Sequence, residues 1–264
     1  MLKKFKGSAI HNLVITRSDE TKEGLIVPSS ILRKVDIADG QEVIVTKIGA
    51  GSWKNRIKTF IISDETSKDV VVCGSLAKFL NPGDLTCLIA EVYNDEKVSD
   101  MYHQDKFPIF DLGFDPQKNI DNSISTLDLQ YYSKTSKDVK IDSDEFLNAK
   151  RVRGELLKVF ATSVILGLVV NKTHPDCLQG SAELPESVMK SANIERYKSV
   201  SVYNNTLGGI ADTYAVPMPE GVVMTTGAMA SFADIGNSVN IVSYVLDKVQ
   251  PCVKWIHTDG TKTK

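Results

Sequence analysis

The chain has 264 residues, 42% hydrophobic and 24% charged, with 17 glycines. That is the make-up of a globular protein long enough for one or two cores, not of a disordered, fibrous or disulfide-stapled one. Its 31 basic and 33 acidic side chains nearly cancel, so no global field recruits nucleic acid or an anionic membrane surface.

From the N-terminus, MLKKFKGSAIHNLVITRSDE alternates apolar with polar residues and lacks a continuous apolar run, which predicts a strand rather than a signal peptide. Short β-rich runs follow at 9–16, 42–48, 57–62, 70–73 and 85–92, and again at 159–170, 199–203, 214–216, 221–225 and 239–246. Many short strands punctuated by turn residues predict a mainly β sandwich or barrel architecture. The longest apolar run, Ser163 to Val170, is strand-sized and too short to span a membrane as a helix. Residues 94–150 are rich in Asp and Lys, without sustained period, and are expected to be an acidic linker, ordered in places because they keep Phe107, Phe110, Phe114, Tyr131 and Tyr132. The expected layout is a first domain at 1–93, this linker, a second domain at 151–248 and a C-terminal tail at 249–264. Cys73, Cys87, Cys177 and Cys252 lie far apart, with no Cys-x-x-Cys and no His at ligand spacing. This predicts no metal site, reduced thiols and a cytoplasmic location.

The two halves repeat one another. Glu23-Gly24, then PSSILRKVDI over 28–37, then QEVIV over 41–45, is answered by Gln179-Gly180, PESVMKSANI over 185–194 and KSVSV over 198–202. Proline at a first turn, apolar residues at helical spacing and then a β run predict strand, short helix, strand in both copies. KTFI at 58–61 answers DTYA at 212–215, and CGSLA at 73–77 answers TGAMA at 226–230. The matching glycines, Gly24 and Gly180, are followed by Leu25 in the first copy and by Ser181 in the second, which is also one residue longer before its proline. A Gly-Ser pair is by itself an ordinary turn signal, and Gly7-Ser8, Gly51-Ser52 and Gly74-Ser75 also occur.

In this context both halves, over 4–92 and 159–245, resemble the pyruvoyl-dependent aspartate 1-decarboxylase family. The features that carry the resemblance are Lys-x-x-x-Ile-His11, Gly180-Ser181 ahead of a short helix, Thr213-Tyr214, the Thr226-Gly227-Ala228 turn and Asn81-Pro-Gly-Asp84. The resemblance implies two double-psi β-barrels in tandem, only the second self-processing. The precursor would be a zymogen: Ser181 would attack the Gly180 carbonyl, and the resulting ester would eliminate to leave a pyruvoyl group derived from Ser181, with no metal or pyridoxal phosphate required. As a carboxy-lyase it would form a Schiff base with a small amino-acid substrate and release carbon dioxide. By resemblance Thr213 hydrogen-bonds the Gly180 carbonyl, Tyr214 returns a proton, and Thr226, Gly227, Ala228 and His11 belong to the substrate pocket.

The family builds each site between neighbouring barrels, one supplying an arginine for a substrate carboxylate. Here Ile210 replaces that arginine in the second copy while the first keeps Arg56 ahead of Thr59 and carries Phe60 for the tyrosine. A homodimer forming a pseudo-tetramer of barrels is therefore expected. The family lysine near the N-terminus is aligned with Ala9 and Ile165, the histidine with His11 and Gly167, and the tyrosine two before the cleavage glycine with Lys22 and Leu178. Thr226 stands for a family asparagine. These departures leave the identity of the amino acid open. Two rival readings remain at this level: an uncleaved binding module in which Ser181 only turns the chain, and a DNA-binding barrel of the swapped-hairpin kind suggested by GLIVPSSILRKVDI over 24–37. The even charge balance weighs against the latter.

Overall fold

The structure, a computed structural model, describes residues 2–33, 35–49, 56–94, 107–111, 129–132, 139–140, 156–178, 180–260 and 262–263. In the first half these are β1 (Lys3–Val14), β2 (Arg17–Asp19), β3 (Gly24–Pro28), α1 (Ser29–Leu32), β4 (Glu42–Lys47), β5 (Arg56–Asp64), β6 (Val71–Cys73), a 3-10 turn at Gly74–Lys78 and β7 (Leu85–Asn94). Strands β8 (Phe107–Asp111), β9 (Leu129–Tyr132) and β10 (Val139–Lys140) follow within the expected linker. The second half holds β11 (Lys158–Val169), β12 (Lys172–His174), β13 (Ser181–Pro185), α2 (Glu186–Ser191), β14 (Ser199–Asn204), β15 (Ile210–Met218), β16 (Met224–Thr226), α3 (Ala228–Phe232), β17 (Ser238–Asp247), β18 (Lys254–Gly260) and β19 (Lys262–Thr263). The fold is mainly β, two barrels in tandem with short helices, as the sequence predicts.

Each sheet curls by mixing parallel with antiparallel neighbours. β3 lies parallel to β5 and antiparallel to β6, and β13 repeats this with β15 and β16. Strands flanked on both sides and both faces read as near-continuous apolar runs. Hence Leu25, Val27, Val45, Ile61 and Leu88 fill one core, and Ile165, Leu184, Val202, Val239 and Ile241 the other. The expected helices are shorter than their apolar spacing suggests. Pro28 and Pro185 sit just ahead of α1 and α2 with φ −54 and −52. Both stretches then leave the helical path at left-handed residues, Asp36 and Asn193 (φ 55 and 53), which turn Ile37 and Ile194 into the cores.

The segment expected as a C-terminal tail contains β18, which pairs in parallel with β11, just as β8 pairs with β1. Each barrel thus recruits a strand from beyond the predicted boundary. An edge strand leaves a row of unpaired backbone groups, and the returning strand covers it.

Strand register also corrects the alignment of the copies. Asn12 (φ 59) and Gly167 (φ 79) occupy the same break in β1 and β11, so His11 answers Leu166, not Gly167, and Ala9 answers Val164, not Ile165. Leu25 pairs with Ile61 and Val72, and Ala182 with Ala215 and Thr225. The place of Ser181 is therefore taken in the first barrel by Gly24, and that of Gly180 by Glu23. The turn before β3 is two residues shorter than the turn before β13, so matching glycine to glycine puts that difference at the wrong point.

Candidate active site

In the second barrel β13 and β15 run in parallel with Ser181 beside Tyr214, and β16 brings Thr226 alongside. The Thr213 hydroxyl donates to the Gly180 carbonyl at 2.7 Å. The Ser181 N–H donates to Thr226 Oγ1 at 3.0 Å, and the two hydroxyls lie 2.7 Å apart. Ser181 Oγ also donates to Glu183 Oε1 at 3.3 Å. Ser181, Thr213 and Thr226 are buried, so their hydroxyls exchange bonds with the protein rather than with water. Gly227, at φ 51, starts α3. It turns the backbone so that the N atoms of Ala228 and Met229 lie about 3.6 and 3.5 Å from the point where a Gly180 Cβ would stand. Tyr214 is 57% exposed and lines, with Gly180, Ser181, Tyr197 and Val216, an open cleft of about 590 Å³.

Gly180, Ser181, Thr213, Tyr214, Thr226, Gly227 and Ala228 thus gather in one place. Arg56 and His11 do not; they belong to β5 and β1 of the first barrel, where Arg56 is exposed. Two cleft residues, Tyr197 and Val216, and Glu183 beside Ser181 are not singled out by the sequence. Tyr197 and Val216 carry no local signal that separates them from ordinary turn and strand residues. Glu183 does: it is a carboxylate inside SAELP, where the first barrel has Ile26 packed on Val71 and Cys73.

The corresponding place in the first barrel is closed. Glu23, fully buried, accepts hydrogen bonds from Ser75 Oγ (3.1 Å) and from Asn240 Nδ2 of the second barrel (2.8 Å). Burial pushes its carboxyl up to about 7, against the lowering effect of those donors. Thr59, which answers Thr213, is also fully buried, and its hydroxyl finds no partner among the described residues. Phe60, which answers Tyr214, is covered by Ala161, Val164, Leu166, Tyr203 and Val242, with Ile210 alongside. Trp255 is tilted against it at 6.1 Å. Lys58–Asp212 and Lys158–Asp36 ion pairs flank this contact between the barrels.

The model of the family described as aspartate decarboxylase matches residues 1–107 and 159–256. Aspartate 1-decarboxylases of Campylobacter jejuni subspecies doylei and subspecies jejuni are 32% identical to this chain over 92 residues, covering 32% of it and 73% of their own length. The family match includes both copies, and each stretch reaches the returning strand, β8 or β18, that lies outside the sequence-drawn barrel boundaries.

Proposed function

Because the chain belongs to the aspartate decarboxylase family, we propose that it is a pyruvoyl-dependent amino-acid α-decarboxylase that processes itself between Gly180 and Ser181, in the second barrel only. The observation that carries this is the Thr213 hydroxyl bonded to the Gly180 carbonyl, with Ser181 among the residues that line the cleft. A donor already aimed at that oxygen stabilises the negative charge that develops on it when Ser181 Oγ attacks. The first barrel does not assemble these parts: Gly24 brings no nucleophile, Glu23 stands in the place of Gly180 and the Thr59 hydroxyl has no partner among the described residues.

A pyruvoyl group at position 181 would supply a ketone for the substrate amine and a sink for the electron pair released with carbon dioxide. The residues around it suit that group. Thr226 lies beside position 181 and the start of α3 approaches Gly180; in this reading Tyr214, which lines the cleft, returns a proton to the substrate carbon.

The carboxylate-binding arginine would come from a second copy of the chain. Within one chain Ile210, the counterpart of Arg56, and Leu166, the counterpart of His11, pack on the cluster around Phe60, the counterpart of Tyr214. A second chain docking its first barrel on the open cleft in the same manner would bring Arg56 and His11 to Tyr214. A homodimer with two sites follows, since the contact closes on itself by symmetry.

Intact mass tests the processing. Wild type should resolve into a fragment ending at Gly180 and a second beginning with the pyruvoyl group, while Ser181→Ala stays whole. A wild type that keeps its full-length mass after prolonged incubation removes the enzyme reading. Carbon dioxide release across a panel of amino acids then identifies the substrate.

A further inference from the structure

We propose that Glu183 is the general base of self-cleavage, an inference that rests on the processing reading above and assigns its proton transfers. Ser181 Oγ touches two side chains, Thr226 at 2.7 Å and Glu183 at 3.3 Å. Of these, Glu183 is the proton acceptor, because a carboxylate is the stronger base and a threonine hydroxyl is too weak a one. With the Ser181 proton directed to Glu183, Thr226 donates to Ser181 Oγ, while Thr213 already binds the Gly180 carbonyl oxygen.

The sister barrel shows that the carboxylate is not there for the fold. At the same register position of β3 stands Ile26, 7% exposed, packed with Val71, Cys73 and Ile62. The Glu183 neighbours Val216 and Met224, which answer Ile62 and Val71, keep that apolar character. Replacing a well-packed isoleucine by a half-buried carboxylate is unfavourable for folding, since the charge loses part of its hydration. It is found in the copy that has a serine to activate and not in the copy that has a glycine.

The steps balance as follows. The Ser181 O–H bond breaks, its proton passes to Glu183 Oε1, and a bond forms between Oγ and the Gly180 carbonyl carbon. The Gly180 C–N bond then breaks as Glu183 returns the proton to the Ser181 nitrogen, leaving an ester. In the elimination the carboxylate, regenerated, takes the Ser181 Cα proton, a Cα=Cβ double bond forms as the Cβ–Oγ bond breaks, and Gly180 departs as a carboxylate with the electron pair. Water then converts the remaining enamine to the ketone and releases ammonia.

The test follows loss of the full-length mass with time in freshly purified precursor. Glu183→Gln, which keeps shape but not basicity, should cleave about 100-fold more slowly than wild type. Glu183→Asp should fall between them. Glu183→Ala should be slow and should accelerate with added formate, a small carboxylate that fits the space vacated. A merely structural role would not produce formate rescue. Cleavage of Glu183→Gln at the wild-type rate overturns the proposal, as does a slow Glu183→Ala that ignores formate. A wild type that itself never cleaves is a different result, because it removes the processing reading on which the proposal stands.

Discussion

Thr59 and Thr213 occupy one register position in two barrels and have opposite consequences. The Thr213 hydroxyl has an acceptor, the Gly180 carbonyl, at 2.7 Å, while the fully buried Thr59 hydroxyl has none among the described residues. A buried hydroxyl without a partner carries its full desolvation penalty, on the order of 1 to 3 kcal/mol. Thr59→Val, nearly isosteric, should therefore raise stability by about 1 kcal/mol, read as a higher denaturation midpoint in urea. Thr213→Val should instead slow loss of the precursor mass by about 100-fold, the scale seen when one donor to a developing oxyanion is removed. Equal effects of the two substitutions on stability and on cleavage would deny the asymmetry between the barrels.

Between elements, the junction of β3, the 3-10 turn at Gly74–Lys78 and β17 forms a buried contact between the barrels at the register position that Gly180 holds in the second. Glu23 sits at the entry to β3, receives Ser75 from the 3-10 turn and reaches Asn240 on β17, whose Oδ1 accepts the Gly167 N–H. Gly74 allows this approach, because a Cβ there would collide with the Glu23 carboxylate. The buried Tyr203 and the partly buried Tyr244 lie nearby, both pushed well up by burial and so neutral. The Glu23 carboxyl is held at about 7 in the folded chain against an ordinary 4.5. The folded state then binds the extra proton, and its stabilising contribution is complete below about pH 4.5 and lost as pH rises to about 7. The amount is on the order of 3 kcal/mol for a shift of this size. In denaturant titrations wild type should lose stability across that interval, and Glu23→Gln should remove that part of the slope. An unchanged slope in Glu23→Gln would assign the titration to other groups.

At the scale of the whole molecule, the contact between barrels inside one chain covers Phe60, whereas Tyr214 in the second barrel stands 57% exposed. Two copies that repeat the internal contact would close both open clefts and leave two sites in the assembly. This arrangement makes a definite prediction about mixed dimers. Ser181→Ala and Arg56→Ala chains, each inactive alone, should regain about a quarter of wild-type activity when co-expressed. Random pairing makes half the dimers mixed, and each mixed dimer has one intact site of two. A mixture as inactive as its components would place both residues of a site in the same chain.

The sequence by itself determined the duplication, the mainly β class and the residues that cluster at Gly180 and Ser181. These are short-range patterns: prolines ahead of paired turns, alternating strands and a threonine followed by an aromatic residue, Thr59-Phe60 and Thr213-Tyr214, whose spacing survives in both copies. It did not determine which residues correspond across the turn before β3 and β13, because a two-residue length difference there leaves glycine matched to glycine until strand register fixes Gly24 against Ser181. It could not show that β8 and β18 return to pair with β1 and β11, since parallel partners far apart along the chain have no local signal. Nor could it reveal Glu23 reaching Asn240, or Glu183 at Ser181 Oγ, because a carboxylate's partner depends on which strands lie side by side. That neighbourhood is set by burial of the two cores and the contact between them, and only the tertiary structure decides it.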